Sequence, residues 1–510
     1  MSLAGDLEQS LAEPVKRTLV FLPYGSTPHL ETTLEICQRL SEAGHEVLAI
    51  RCGAEMLACD LNPEHDLPTC LQCMGRTDAG LARLNPPPRL LPLLDLGAAD
   101  RAELARVPGP HLAEEDLRGW KIDGFDIGYG VLSSLVTMRG RPELSPARDA
   151  YLIRHLARSA LAVYRSVRRA IREHRVGSVH VFNGRFAPCR AVLRAAEAEG
   201  IPYYTHERGS SVSTFMVRRN AMPHSLDYNR ASMRAAWETA DPGERAEAAR
   251  LFYEERRNRI PRKWKSFVTG QERGALPSTW GEAAHHVVIF CSSEDEFVAI
   301  GDEWANPIFA DQTDGLRRVS EAIGRAGPGV VLHVRVHPNQ AGRRGGALAR
   351  WMAEPHPPNV HVIPPEDPSD SYALLDGADT VVTFGSTIGP EAAYSGKPVV
   401  LLARGTYRDL GCTYNPADER ETISCLLHPL DPKPRTGAEI FGHYFARFGT
   451  PFRDFTPDGF FGGHFRGSTI EPHGARAALI RLLERPSFWR LRRWSGRLAL
   501  RLTRRARGYP

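Results

Sequence analysis

Three stretches in the second half of the chain place phosphate-binding chemistry directly after β-branched runs. HHVVIFCSSE ends in Ser292, Ser293 and Glu294; VVLHVRVHPNQ ends in Arg335, His337, Pro338 and Asn339; DTVVTFGST ends in Gly385, Ser386 and Thr387, with Glu391 one helical turn further on. A cationic donor, hydroxyls and a helix start suit a diphosphate or phosphodiester, and a carboxylate can accept from ribose hydroxyls. Ser and Thr are also ordinary N-caps and Gly an ordinary turn residue, so the Gly-Ser-Thr turn by itself fits a plain helix start equally well.

The first half carries a second group of polar residues. They are Ser26, Thr27 and His29 in PYGSTPH, Asn183 and Arg185 in FNGR, and the run from His206 through Glu207, Arg208, Gly209 and Ser210 to Ser211. Transfer to a hydroxyl requires a base within hydrogen-bond reach of it, and a carboxylate or histidine can serve. Glu207, with His206 and Arg208 beside it to tune it, is one candidate; Asp126 or Asp123 in WKIDGFDIGYG is a rival. A strand-end salt bridge is the alternative reading of the same charges. Ser26, Thr27, Asn183, Arg185 and Arg208 supply the acceptor-side donors and acceptors.

Four of the nine cysteines are clustered, as Cys52, Cys59, Cys70 and Cys73 in RCGAEMLACDLNPEHDLPTCLQC. Four thiolates can close a tetrahedral structural zinc site, while the Cys70-x-x-Cys73 pair also suits redox chemistry. The other five, Cys37, Cys189, Cys291, Cys412 and Cys425, lie singly among apolar neighbours and read as buried small residues.

These residues need strands and helices to position them. RTLVFLPYGSTPHLETTLEICQRLSEAGHEVLAI reads as strand, loop, helix and strand, with Leu30, Leu34, Cys37 and Leu40 on one helical face. GSVHVFNGRFAPCRAVLRAAEAEGIPYYTHERGSS repeats the pattern, and alternation resumes from residue 285 through TDGLRRVSEAIGRAG to the Gly-Ser-Thr turn. Strands separated by helices imply parallel sheets with right-handed crossovers. Residues 85–148, rich in Pro and Gly, read as an insertion of loops and short helices, and GQERGALPSTWGEA at 270–283 as the interdomain linker. The expected fold is therefore α/β, with two Rossmann-like doubly wound domains, 1–275 and 283–470, facing across a cleft that is the default ligand site, followed by a helical basic tail over 471–510.

Composition agrees with a soluble globular protein, at 42% apolar and 25% charged residues over 510 positions. No stretch approaches the roughly 20 apolar residues of a membrane-spanning helix, and the N-terminus lacks a signal-peptide layout, which points to the cytoplasm. The net charge of +5 is uneven: residues 488–510 hold eight Arg and no acid, so removing those eight leaves the rest at −3. That argues against a nucleic-acid-binding body and for a local basic surface.

The pair VRVHPNQ and VVTFGSTIGPEAAYSGKPVVLL resembles the donor half of bacterial GT-B glycosyltransferases of capsule and surface-polysaccharide assembly. Similar His-Pro and Ser/Thr-turn elements occur in Kdo transferases, sialyltransferases and CDP-glycerol polymerases. The segments VFNGRFAPCRAVLRAAEAEGIPYYTHERGSS and SSEDEF extend the resemblance to capsular-polysaccharide biosynthesis proteins over most of residues 17–425. It implies a GT-B-like fold and transfer, inverting or retaining, of a sugar from a nucleotide donor to a growing glycan or lipid-linked acceptor, with no cofactor or cation required. His337 is then expected at the donor phosphate, Ser386 and Thr387 at its helix start, and Glu391 at the ribose. A CDP-glycerol-type phosphotransferase would use the same phosphate-holding residues, and a catalytically silent scaffold of the capsule machinery would keep the fold alone.

In the tail, Phe488, Trp489, Leu491, Trp494, Leu498 and Leu502 alternate with the arginines at roughly helical spacing, which suits an anionic membrane surface at the inner face of the plasma membrane. Each arginine near such a surface contributes at most ~1 kcal/mol. Deleting residues 487–510 should abolish sedimentation with anionic vesicles while leaving turnover of a short soluble acceptor intact. A truncated protein that aggregates or still sediments would place the tail in a core or the membrane contact elsewhere.

Overall fold

In the computed structural model, residues 5–14, 16–107, 114–140, 143–260, 268, 270–282, 285–343 and 345–485 are described. The basic amphipathic tail helix expected over 487–510 lies outside them. Contacts divide the chain into two compact units, Ala4–Pro223 with Gly449 onward, and His224–Phe448.

The first unit is built on strands β1 (Arg17–Leu22), β2 (Glu46–Arg51), β3 (Arg89–Leu91), β4 (Ser178–Phe182), β5 (Tyr203–Arg208) and β6 (Thr214–Arg219). They pair in the order β3-β2-β1-β4-β5-β6, parallel except for the antiparallel β5–β6 pair. This is the Rossmann order, reversing direction at β1 and β4. Successive residues of β1 go to opposite faces: Leu19 and Phe21 join one core cluster, Val20 and Leu22 another. Burial on both faces explains why these strands read as unbroken apolar runs. Leu30, Leu34, Cys37 and Leu40 of helix His29–Glu42 are all buried against the second cluster, as their spacing predicts.

The second unit carries β7 (His285–Phe290), β8 (Val330–Arg335), β9 (Val360–Ile363), β10 (Thr380–Thr383) and β11 (Val399–Leu401), all parallel, in the order β11-β10-β7-β8-β9. The direction reverses at β7 and β10, again a Rossmann arrangement. Helix Gln312–Ala326 packs Leu316, Val319 and Ile323 on one face of this sheet.

Three assignments differ from the sequence reading. Residues 85–148 hold the short helices expected, Ala98–Ala105, Glu114–Gly119 and Ile127–Arg139, but are no mere insertion: they also supply edge strand β3, and Val131 and Leu135 sit in the first unit's core. The stretch 270–283 is no linker, because its described residues are packed into the second unit. Gly274 N–H donates to Asp370 Oδ2 at 2.9 Å, Asp370 N–H to the Ala275 carbonyl at 2.8 Å, and the Trp280 ring stacks on His286 and His333 at centroid distances of 4.5 and 4.6 Å. Helices Leu226–Thr239 and Pro242–Arg257 belong to the second unit as well; the Tyr253 hydroxyl donates to the Ala438 carbonyl and its ring stacks on Tyr394 at 4.2 Å. The domain boundary thus falls near Pro223 instead of 275, and the second unit ends at Phe448 instead of 470.

From Gly449 the chain returns to the first unit, where β12 (Thr450–Pro451) pairs antiparallel with β6. The fully buried Glu35 fastens this segment: its carboxylate accepts from the Arg39 guanidinium at 2.6 Å, from Arg453 N–H at 2.6 Å and from Asp454 N–H at 3.0 Å. Removing one partner of a buried, hydrogen-bonded ion pair costs ~3–5 kcal/mol. Glu35→Ala should lower unfolding free energy by that order in a urea titration. A loss below ~1 kcal/mol would show that the returning segment is only loosely attached.

No described helix is long and apolar enough to cross a membrane.

Candidate functional site

In open parallel sheets, ligands bind beyond the carboxyl ends of the strands at the point where strand order reverses. In the second unit that point lies between β7 and β10. Ser292 Oγ donates to the Phe384 carbonyl at 2.8 Å and its N–H donates to Gln312 Oε1 at 2.7 Å, so this buried residue ties the two following loops together. Ser293, next to it, points its hydroxyl to the loop after β8. There Asn339 N–H donates to His337 Nδ1 at 3.1 Å, Ser293 Oγ lies 3.3 Å from the same nitrogen, and Asn339 Nδ2 donates to Ser293 Oγ at 3.2 Å. A ring nitrogen that accepts from a backbone N–H carries no hydrogen, so the neutral imidazole bears its hydrogen on Nε2. Asn339 gives its side-chain amide hydrogen to Ser293. The loop thus holds the imidazole in one orientation.

The Gly385-Ser386-Thr387 turn is fixed from below. Gly385 has φ +99°, and a Cβ there would meet the Arg404 carbonyl at 3.1 Å. The Tyr407 hydroxyl donates to the Ser386 carbonyl at 2.8 Å. Thr387 precedes helix Ile388–Tyr394 and accepts at Oγ1 from Arg256 Nη2 at 3.3 Å. Arg256, near the end of helix Pro242–Arg257, follows no strand, which is why inspection of strand ends passes it over. Burial pushes its guanidinium down, but Glu391 overcomes that and holds it above the usual arginine range.

Two donor-side expectations are corrected. The Arg335 guanidinium is buried and turned inward, its Nη1 donating to the Pro364 carbonyl at 2.8 Å and Nη2 to that of Asp367 at 3.0 Å, so it braces the loop after β9. Glu391 is buried with both oxygens engaged, accepting from Arg256 Nε at 3.1 Å and from the Tyr372 hydroxyl at 2.6 Å. Its carboxylate anchors helices of its own unit, where a ribose contact was expected.

In the first unit the reversal lies between β1 and β4. Asn183, at φ +56°, donates from Nδ2 to Glu207 Oε2 at 2.6 Å, and Arg208 N–H donates to Glu207 Oε1 at 2.9 Å. The His29 ring packs on Phe182 at a centroid distance of 4.0 Å. Burial, aided by the Arg208 charge, lowers the His29 pKa to about 3, so its imidazole is neutral at physiological pH. Burial also lowers the Arg208 pKa, with Glu207 opposing. Glu207, Asn183, His29 and Arg208 are thereby gathered at one edge, and Arg185 stacks on Phe186 at 4.6 Å beside them.

The other catalytic candidates are withdrawn from this edge. Asp126 is buried between Arg190 and Arg194, accepting from Arg194 Nε and Nη2 at 2.8 Å each; although burial opposes it, these hydrogen bonds and charges hold its carboxyl well below the usual range. A carboxylate so held is a poor proton acceptor. His206 is fully buried, with Nε2 3.3 Å from Thr33 Oγ1, and burial lowers its pKa to about 3, which makes it a core histidine. Asp123 pairs with Arg165 at 2.7 Å. Thr27 is likewise consumed, donating to Glu31 Oε1 at 2.9 Å and accepting from Arg76 Nη2 at 2.6 Å. Ser26 faces a cavity of about 320 Å³.

Cys52, Cys59, Cys70 and Cys73 all line that cavity, together with Tyr24, Asn62 and Arg76. Among the described residues no three His, Cys, Asp or Glu side chains form a set able to hold a metal ion. Two of the sulfurs accept from nearby donors: Gly25 N–H reaches Cys73 Sγ at 3.1 Å and Asn62 Nδ2 reaches Cys70 Sγ at 3.2 Å.

No family model matches the chain, and no curated protein matches it. Solved structures that resemble it include two of Thermosulfurimonas dismutans KpsC. The beta Kdo 2,4 transferase is 19% identical, covering 53% of this chain and 79% of that one at a TM-score of 0.36; the beta Kdo 2,7 transferase is 15% identical, covering 63% and 90% at 0.32. The glycosyltransferase SnogD from Streptomyces nogalater is 12% identical, covering 86% and 96% at 0.24.

Burial, then the neighbouring Cys52, pushes the Cys70 thiol up to about 12 and the Cys73 thiol to about 11, from an ordinary 9.0. A thiol raised from 9.0 to about 11 has its thiolate fraction at neutral pH cut by ~100-fold. Iodoacetamide at pH 7.5 should therefore label these cysteines at least ~100-fold more slowly than it labels the unfolded chain. Equal rates would mean that the thiols are ionised and chemically active.

Proposed function

We propose that the chain is a glycosyltransferase moving a sugar from a nucleotide-activated donor to a capsule or surface-polysaccharide acceptor. The supporting observation is the Ser293–His337–Asn339 network at the strand-order reversal of the second unit, whose hydrogen bonds orient an imidazole donor on a loop where phosphates bind in such sheets. The Ser386 and Thr387 hydroxyls add polar partners on the loop after β10, and Arg256 supplies the nearby positive charge. Donor binding belongs to this edge and acceptor binding to the edge of the first unit.

Glu207 is the base in this reading. The acceptor oxygen attacks the anomeric carbon, a new C–O bond forms, and the bond from that carbon to the donor phosphate breaks, leaving its electron pair on the phosphate oxygen. The hydroxyl proton passes to Glu207. Asn183 and the Arg208 N–H fix the carboxylate so that its remaining lone pairs can receive it. His337 Nε2–H and the hydroxyls stabilise charge as it develops on the leaving phosphate. The reading invokes no metal.

Calorimetry with CMP, CDP, UDP and GDP should detect one nucleotide that binds the full chain. His337→Ala and Asn339→Ala should each weaken it by ~1.5–3 kcal/mol, about ten- to a hundredfold, without lowering the melting temperature. Free sugar released from the matching nucleotide-sugar would establish glycosyl transfer chemistry, whereas transfer of glycerol phosphate from CDP-glycerol would reassign the reaction. Failure of every nucleotide to bind would leave a scaffold.

A further inference from the structure

The returning segment of the first unit forms a hairpin that none of the roles above uses. Phe455–Pro457 pairs antiparallel with Gly463–Phe465, and Asp458 N–H donates to the Gly462 carbonyl at 3.1 Å to close the tip. Phe455 and Phe465 anchor its base in the core, and a Cβ on Gly463 would meet the Phe455 ring at 2.4 Å, so the strands are held close. At the tip stand Phe460 and Phe461, edge to face at 4.6 Å. Phe461 is 76% exposed, more than any other large hydrophobic residue described; the next, Tyr151, is at 57%. A single exposed phenylalanine is ordinary on its own.

Its neighbour supplies the second, independent observation. The Arg208 guanidinium lies 3.7 Å from the Phe460 ring centre and 5.6 Å from that of Phe461. Among the described residues no carboxylate lies within ion-pair distance of it. Glu207 is near enough for its charge to be felt, but its oxygens accept from Asn183 and from the Arg208 backbone. Asp458, the acid at the hairpin tip, lies 3.2 Å from His464 Nδ1. A partly buried cation without a counter-ion is costly to keep unless a ligand brings the anion. The aromatic rings cover one side of the guanidinium and leave its planar fork for a carboxylate or phosphate.

We propose that Phe460, Phe461 and Arg208 form a subsite for an acidic saccharide of the acceptor. One pyranose face lies on Phe461, presenting its C–H groups to the ring, and the carboxylate or phosphate of the sugar meets the Arg208 guanidinium. This rests on the transferase reading and narrows it: Arg208 directly follows Glu207, so a sugar held here lies beside the proposed base. Alternation along the chain hides the subsite, because about 250 residues separate its two parts.

The test uses the full chain and ligand-observed NMR titrations with methyl β-D-glucoside, its 6-phosphate and methyl β-D-glucuronide. Both acidic glycosides should bind about tenfold more tightly than the neutral one, as expected of a charge-assisted contact. Arg208→Gln should remove that preference, and Phe461→Ala, at an exposed position where folding is not at stake, should weaken all three about three- to tenfold. A preference that survives Arg208→Gln, or a Phe461→Ala protein that binds like the parent, would overturn the subsite. Nucleotide calorimetry on the same samples separates the two levels. Normal nucleotide binding with no acidic preference removes the subsite alone, and absent nucleotide binding with a preference intact removes the transferase reading while keeping the saccharide contact.

Discussion

The hydrogen bond from Ser292 Oγ to the Phe384 carbonyl links the ends of two parallel strands whose following segments leave the sheet in opposite directions. Where neighbouring strands part in this way, their loops cannot cover the space beyond the sheet, and polar backbone groups remain at its rim. Everything placed in the donor region depends on that constraint. His337, Ser293 and the Gly385 turn stand at one edge of the sheet because β8 and β10 both flank β7 and run parallel to it. In the first unit the Asn183–Glu207 bond plays the corresponding part, joining the ends of β4 and β5.

Residue type alone does not separate a ligand-binding charge from a structural one; the partner does. Arg335 and Arg208 are both strand-end arginines, and burial lowers the pKa of both. Arg335 has two backbone carbonyls, from Pro364 and Asp367, to satisfy its terminal nitrogens. Among the described residues the Arg208 guanidinium has aromatic rings against it, which satisfy charge weakly and hydrogen bonds not at all, with the Glu207 charge nearby. The same comparison divides Asp126 from Glu207. Asp126 faces two guanidinium groups, which stabilise its ionised form strongly, whereas Glu207 is held by one amide and one backbone N–H.

Local periodicity made much of the fold legible. The helix face of Leu30, Leu34, Cys37 and Leu40 and the apolar runs of β1, β4, β7, β8 and β10 could be read directly, since burial on both faces leaves no polar alternation to confuse them. The loops after those strands are then placed by rule, and with them His337, Asn339 and Ser293. Breaker residues misled instead. GQERGALPSTWGEA contains the Gly and Pro of a linker, yet Trp280 anchors it on the second sheet, a contact whose partners lie in β7 and β8. Arg256 and Phe461 were invisible for a related reason: neither follows a parallel strand, and the contacts that give each its place, to Glu391 and Thr387 and to Arg208, are long-range.

The return of the chain at Gly449 shows why domain boundaries resist reading from composition. Breaker-rich sequence marks where a chain can turn, but not which core receives the residues beyond the turn. Here the decision rests on Glu35, a carboxylate on the helix between β1 and β2, buried from solvent and surrounded by the donors of residues 453 and 454. A buried carboxylate needs several donors, and helix His29–Glu42 supplies only the Arg39 guanidinium. Nothing in HLETTLEICQRLSE distinguishes Glu35 from Glu42, an ordinary exposed helix acid whose partner Arg453 lies at 2.6 Å on the surface. The returning segment completes the electrostatics of a helix laid down more than 400 residues earlier. That requirement also holds the aromatic hairpin at the edge where Arg208 and Glu207 stand.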